Sequence, residues 1–266
     1  MSSQTNFLWR CPHCQHPSLA TDPKTFTYYE TKSSIDLRVD DDWEPDWVTY
    51  VFHVTIKCKS CNETLLMSGT GSPSPSWDED GASEYTDRFE PKYCLPMPDM
   101  IEFPPKTSDE VKKELRSAFK LFWSDPCSCV NRVRTGIERL LDSLDIPKRA
   151  NAKPAQPVPQ TPTSTPIQVG SQSSGVGSAK KGAKKPHYYR LHERIDLFRN
   201  QDSANADLLM SIKWLGNTGT HEGIVDRDDV LSGLEILEHV LQEVVGEKSA
   251  KIQKLAKKLT KSHAPR

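Results

Sequence analysis

The amino-acid sequence predicts a mainly α protein, an antiparallel helical bundle preceded by a small β-rich metal-binding module. Three observations carry that expectation. Two Cys-x-x-Cys pairs, Cys11/Cys14 and Cys58/Cys61, lie in the amino-terminal third among residues of strand-like composition. Five segments after residue 106 repeat apolar side chains at helical spacing. Between the second and third of these, Ala152 to Ser178 is Pro, Ser, Thr, Gln and Gly with hardly any large apolar side chain. Such a stretch buries too little surface to offset backbone ordering. The expected boundaries are therefore a zinc-ribbon-like β module over 1–90, a first helical half over 91–146, a disordered basic loop over 147–187, a second helical half over 188–247 and a basic tail over 248–266.

Each part of the β module has its own signal. A tight turn lets both thiolates of one Cys-x-x-Cys pair face one ion, and two pairs complete a tetrahedral set. Cys11, Cys14, Cys58 and Cys61 are thus the expected ligands of a structural Zn²⁺, with His13 and His16 left on the surface. Thr25–Tyr29 and Ile35–Val39 read as strands, and Trp47–Lys57 as a strand with Val48, Tyr50, Phe52, Val54 and Ile56 on one face. Glu63–Met67 is placed to pair back, with Asp40, Asp41, Asp42 and Glu44 at a solvated hairpin tip.

In the helical region, Thr107 with Glu110 matches a capping box ahead of Val111, Leu115, Ala118 and Phe122. Pro126 is read as the end of that helix, and Ser128–Leu144 as the next. Tyr188–Arg199, Ala204–Leu215 and a last long helix opening near Asp226 and Asp228 complete the set. Lys248–Arg266 reads as a basic amphipathic helix.

Composition narrows the function classes. With 35% hydrophobic residues, the 266-residue chain falls below the roughly 45–50% usual for globular proteins, a figure that also counts Gly. No run approaches the roughly 18–20 apolar residues that span a bilayer, and Met1–Arg10 lacks the apolar core of a signal peptide. The expectation is a cytoplasmic protein without membrane contact. Seven cysteines, four of them in two pairs, favour a reducing compartment and metal over disulfides. The net charge of −1 hides segregation. Residues 1–105 carry 8 basic and 17 acidic groups, whereas 147–187 carry 7 basic and none acidic. Solvation explains those lysines, and transient attraction to nucleic acid is the alternative.

The stretch from Lys213 to Glu222 departs from scaffold composition, with two glycines and a cluster of polar groups at the end of an apolar helix. If the helix runs through, Lys213, Asn217 and His221 fall at i, i+4 and i+8 near one face. If it stops at Gly216, His221 sits in the turn that follows, still close to Asn217. These features, with Leu95-Pro96-Met97-Pro98, Arg134-x-x-x-Glu138-x-x-Leu141 and Gly216-Asn217-x-x-x-His221 after Ile212, resemble the domain-of-unknown-function 4145 family over roughly 90–245. That family is assigned to the HEPN-like helical superfamily, where an amino-terminal zinc module is a frequent companion. The family usually has Arg at the position of Lys213.

The resemblance implies metal-independent RNA cleavage by a homodimer, in bacterial defence or a toxin-type system. His221 would transfer protons, Lys213 clamp the phosphate and Asn217 orient it. The other reading is a noncatalytic module that dimerises and docks RNA or a partner enzyme, as in a restriction-type system. A third reading is structural alone, with Asn217 capping a helix end and His221 satisfying a backbone carbonyl at the break. Arg134 and Glu138, one turn apart, form an ion pair or support the site. Cys94, Cys127 and Cys129 are expected as free thiols and His192 as a surface residue.

Overall fold

The computed structural model describes residues 6–7, 9–77, 83–150, 187–221, 225–246, 255 and 258; of 217–221 it describes the backbone. The chain begins with β1 (Asn6–Phe7), β2 (Leu19–Thr21) and β3 (Thr27–Glu30). A short helix α1 (Lys32–Leu37) leads to β4 (Tyr50–Cys58), β5 (Thr64–Trp77) and β6 (Ser83–Leu95). All pairings are antiparallel, in the order β1-β2-β4-β5-β6, and β3 also pairs with β4. The sheet curls into a half-barrel.

Alternation explains which face is buried. Phe52, Val54, Ile56 and Cys58 of β4 are buried while Val51 and Lys57 are exposed. Their β5 partners Gly69, Met67 and Leu65 continue the concave face, and Cys94 of β6 lies opposite Met67. Glycine is required at position 69, because a Cβ there would lie 2.0 Å from the Glu90 carbonyl oxygen and 2.8 Å from the Phe52 ring. The register of β5 and β6 shifts at this point, between Ser68 and Gly69.

The helices that follow include α2 (Asp109–Phe119), α3 (Pro126–Ser143), α4 (Leu191–Arg199), α5 (Ser203–His221) and α6 (Arg227–Val244). Side-chain caps open four of them, Asp202 accepting from the Asn205 N–H at the start of α5. Ser108 accepts from the Val111 N–H, Asp125 from Ser128 and Asp226 from Asp228. Gly136 lets α3 approach Leu115 of α2, where a Cβ would lie 2.6 Å from Leu115 Cδ2. Gly216 serves the α3–α5 crossing in the same way, 2.4 Å from Arg134 Cδ and 3.2 Å from Val130 Cγ1.

The mainly α bundle expected from the sequence is overturned. The chain is about 44% helix and 24% strand, and its helices share a core with the sheet. One continuous buried cluster runs from Cys11, Leu19, Ile56 and Leu65 through Leu115, Phe119 and Ile137 to Leu237 and Leu241. Trp9 packs edge-on against Phe122 and Trp123, with ring centroids 6.1 and 5.0 Å away. Arg116 of α2 grips the Asp99 carboxylate through two hydrogen bonds of 2.9 and 2.8 Å, and Asp99 also pairs its backbone with Arg10. Arg227 donates to the Trp123 carbonyl, and the Glu102 N–H donates to Glu238.

Local expectations also change. Ile35–Val39 is not a strand: Thr31 caps α1 and Lys32 pairs with Asp36 one turn on, leaving Ile35, Leu37 and Val39 exposed. The residues at Asp40–Glu44 follow this helix rather than forming a hairpin tip. Ser108, not Thr107, caps α2, and Pro126 begins α3 at its first turn rather than ending α2. Helix α5 passes through Gly216 without a break. The segment over 151–186 and all of 248–266 except Leu255 and Lys258 lie outside the described residues. The chain leaves at Ala150 and returns at His187 through paired backbone, the Ala150 N–H donating to the His187 carbonyl.

If the sheet and the helices are one folding unit, weakening the Asp99–Arg116 contact weakens both. Arg116→Met strands a carboxylate whose side chain is 3% exposed, and is expected to cost about 2–3 kcal/mol. Urea unfolding followed by circular dichroism and by tryptophan fluorescence checks this, with one coincident, earlier transition expected.

Candidate metal centre and cationic helix face

Two turns of the same design bring four thiols together. In the first, the Gln15 N–H donates to the Cys11 carbonyl and the Cys11 N–H donates to His16. In the second, Asn62 donates to Cys58 and Cys58 donates to Glu63. Gln15 and Asn62, each following the second cysteine of its pair, both take φ of 61°. That left-handed step closes each turn so that both of its sulfurs point the same way.

The four Sγ atoms all lie within 4.8 Å of one another, with Cys11–Cys61 at 3.7 Å and Cys14–Cys58 at 3.6 Å. A tetrahedral ion with metal–sulfur bonds of about 2.3 Å needs sulfurs about 3.8 Å apart. The donor set therefore fits a metal ion without rearrangement. All seven cysteines are free thiols, Cys94, Cys127 and Cys129 included, as the sequence implied. His13 and His16 are exposed and outside the cluster, and His192 is exposed on α4.

A residue that sequence reasoning passed over sits behind the sulfurs. Ser18 Oγ lies 3.1 Å from Cys58 Sγ and 2.8 Å from Ser60 Oγ, while its carbonyl accepts from the Lys59 N–H. Burial pushes the Cys58 thiol up, but hydrogen bonds from Ser18 and from the Cys61 and Ser60 amides outweigh it and bring it down to about 6. A thiolate supported in this way is a good metal ligand. No spacing rule marks Ser18, since its role depends on β2 pairing beside β4.

The second candidate lies on α5. Continuous helix through position 221 places Lys213, Asn217 and His221 at i, i+4 and i+8, so their backbone positions share one face. The side chains of Asn217 and His221 lie outside the described residues. Lys213 is 8% exposed. Its ammonium sits 3.5 Å from the centroid of the Trp214 ring, and Trp214 is 58% exposed. Burial lowers the Lys213 pKa, and the charge of Arg134 lowers it further. Arg134 comes from α3, at the Gly216 crossing. Among the described residues no carboxylate pairs with Lys213 or Arg134, so the predicted Arg134–Glu138 ion pair does not form. Two cations and an exposed indole are thus neighbours at the α3–α5 crossing. The sequence reading named Lys213 and Arg134 but missed Trp214, whose exposure is a tertiary property.

The architecture defines a two-part α+β protein, with a four-thiol cluster in its sheet and a cationic helix face in its second helical half. Comparison with known proteins divides it similarly. Residues 1–94, which hold the cluster, match a family described as Domain of unknown function (DUF8608). Residues 175–262, which hold α4, α5 and α6, match Domain of unknown function (DUF4145). No curated protein and no solved structure matches the chain. Among the described residues no helix is long and apolar enough to cross a membrane.

The cluster joins the Cys11 turn to the β4–β5 turn, so losing a ligand unties strands on both sides. Cys58→Ser is expected to lower bound metal to background and to raise hydrogen exchange over β2, β4 and β5 before α3. A strong chelator acting on the wild type should reproduce the same exchange pattern, which mass spectrometry reads directly.

Proposed function

We propose that the protein binds single-stranded RNA along the α5 face, with Lys213 and Arg134 on the phosphodiester and Trp214 against a base. The observation that supports this most is Lys213 itself. A cation nine-tenths buried without a carboxylate is costly. Among the described residues a second cation stands beside it and no counter-charge does. A phosphate would stabilise both, and an exposed tryptophan at the same point offers a sequence-tolerant stacking surface.

The resemblance of Gly216-Asn217-x-x-x-His221 to HEPN-type ribonucleases extends the reading to cleavage. His221 takes the proton of a 2′-hydroxyl, whose oxygen attacks the adjacent phosphorus. The bond to the 5′-oxygen breaks, and that oxygen takes up a proton, leaving a 2′,3′-cyclic phosphate and a 5′-hydroxyl. Lys213 and Arg134 hold the phosphoryl oxygens, and Asn217 orients them. A homodimer would set two such faces against one strand. Defence or a toxin-type role belongs to the same reading.

The four cysteines hold a structural Zn²⁺ in a zinc-ribbon-like module. Four thiolates in tetrahedral array favour zinc, and a site with four protein ligands leaves no position for substrate. Free thiols throughout suit a reducing, cytoplasmic setting.

Labelled single-stranded RNA tests the proposal. Lys213→Met keeps the buried stem but removes the charge. It is expected to weaken binding about tenfold and to reduce the slope of log affinity against log salt by about 1. The same variant should melt at or above the wild-type temperature, since a buried charge has gone. His221→Ala should stop cleavage with affinity retained, and EDTA should not inhibit in a short assay. Wild type that binds without cutting identifies the noncatalytic module, and wild type that does not bind RNA overturns the reading. Metal analysis should return about one zinc per chain.

A further inference from the structure

Beyond Tyr50, β4 ends while β5 and β6 continue as a two-stranded arm, pairing from Ser72–Arg88 to Trp77–Ser83. The two free edges of this arm differ. A proline has no N–H to donate. The ladder nevertheless runs past Pro73 and Pro75 of β5, so both turn their nitrogens to the side that β4 has vacated. That edge is closed to further strands. Directly opposed residues in an antiparallel ladder either exchange both hydrogen bonds or exchange neither. The residues opposite the prolines, Asp87 and Tyr85, therefore turn their backbone groups outwards too, as does Phe89 two residues on. On that side of β6 no strand lies among the described residues.

This open edge faces a cleft of about 590 Å³. Five consecutive β6 residues, Thr86 to Glu90, form one wall, and Phe26 and Tyr28 at β3 form the other. The curl of the sheet brings the walls together: Phe89 meets Phe26 edge-on at 5.0 Å and Tyr28 at 5.2 Å. Tyr28 remains 45% exposed. The charges favour a cationic occupant. Asp87 has no counter-ion among the described residues, and after burial it is the next cause holding the Tyr50 phenol above its ordinary pKa. Glu90 and Arg88 also line the cleft, but Glu90 is paired with Lys92 at 3.1 Å and lies 3.9 Å from Arg227, so Asp87 is the lining carboxylate left open; residues 1–105 carry 17 acidic against 8 basic groups.

We infer that the β3–β6 cleft binds an extended, basic peptide segment of a partner protein, which adds as a strand to the free edge of β6. Outward groups of Tyr85, Asp87 and Phe89 supply the main-chain hydrogen bonds. Lysine or arginine side chains on alternate positions reach Asp87 and the faces of Tyr28 and Phe89. This site is separate from the α5 face and does not depend on the RNA reading.

A fluorescent seven-residue peptide of alternating lysine and valine, about 23 Å long when extended, tests the inference against the full-length, metal-loaded protein. Saturable binding in fluorescence anisotropy is expected, with amide exchange slowed at Tyr85, Asp87 and Phe89. Asp87→Pro removes an outward N–H that the β5–β6 ladder does not use, and should weaken binding at least about tenfold. Asp87→Ala keeps the N–H, so it should weaken binding less and flatten the salt dependence. If Asp87→Pro unfolds by circular dichroism, Tyr28→Ala on the opposite wall must give the loss instead. The inference is overturned if the wild type does not bind the peptide, if the folded Asp87→Pro or Tyr28→Ala protein binds as well as wild type, or if a glutamate–valine peptide binds equally.

Discussion

Curling of the sheet is the constraint on which the rest of the molecule depends. A flat sheet would offer the helices one broad face; a curled one offers a concave trough with two distinct ends. Toward the Cys58 end of β4, the trough holds Val54, Ile56, Leu65 and Met67 and joins the helical core. Toward Tyr50, it fills with rings, Phe26, Phe52 and Phe89 lying within 5.7 Å of one another, centroid to centroid. Gly69 and Gly71 make this geometry available, since a Cβ at either would meet an aromatic ring within 3 Å. Metal turns and aromatic cleft are thus set at opposite ends of the same strands.

Much of this was legible in the residues, and the rest was hidden for identifiable reasons. The four cysteines were found by spacing because local turn geometry alone decides which way their sulfurs face. Strand β4 was found by strict alternation, and the helices by stripes such as Val130, Val133, Ile137 and Leu140. Strand β6 escaped because Glu84, Asp87, Arg88, Glu90 and Lys92 put charges along it, and most of it lies exposed in a projecting arm. With that strand and most of β5 unseen, the helices outweighed the sheet and the fold class came out mainly α. Short helix α1 was mistaken for a strand because Ile35, Leu37 and Val39 alternate, although all three face water. Pro126 is ambiguous in sequence, since proline stops one helix as readily as it starts the next.

The Gly216 region carries a similar lesson. In sequence, a glycine beside polar residues reads as a break. In the fold it is a point of close approach, and the helix continues because Arg134 and Val130 of α3 occupy the space that a side chain would need. The same approach sets Arg134 beside Lys213, so one substitution-intolerant position both joins two helices and concentrates charge. Packing and electrostatics are coupled there through a single missing methyl group.

The two prolines of β5 carry a consequence for assembly. An arm with two open edges could pair with copies of itself on either side and grow without limit. Here Pro73 and Pro75 close one side, so two copies joined through their β6 edges would present only proline-closed edges to a third. Open-ended growth by self-pairing of this arm is thereby blocked by the absence of two amide hydrogens.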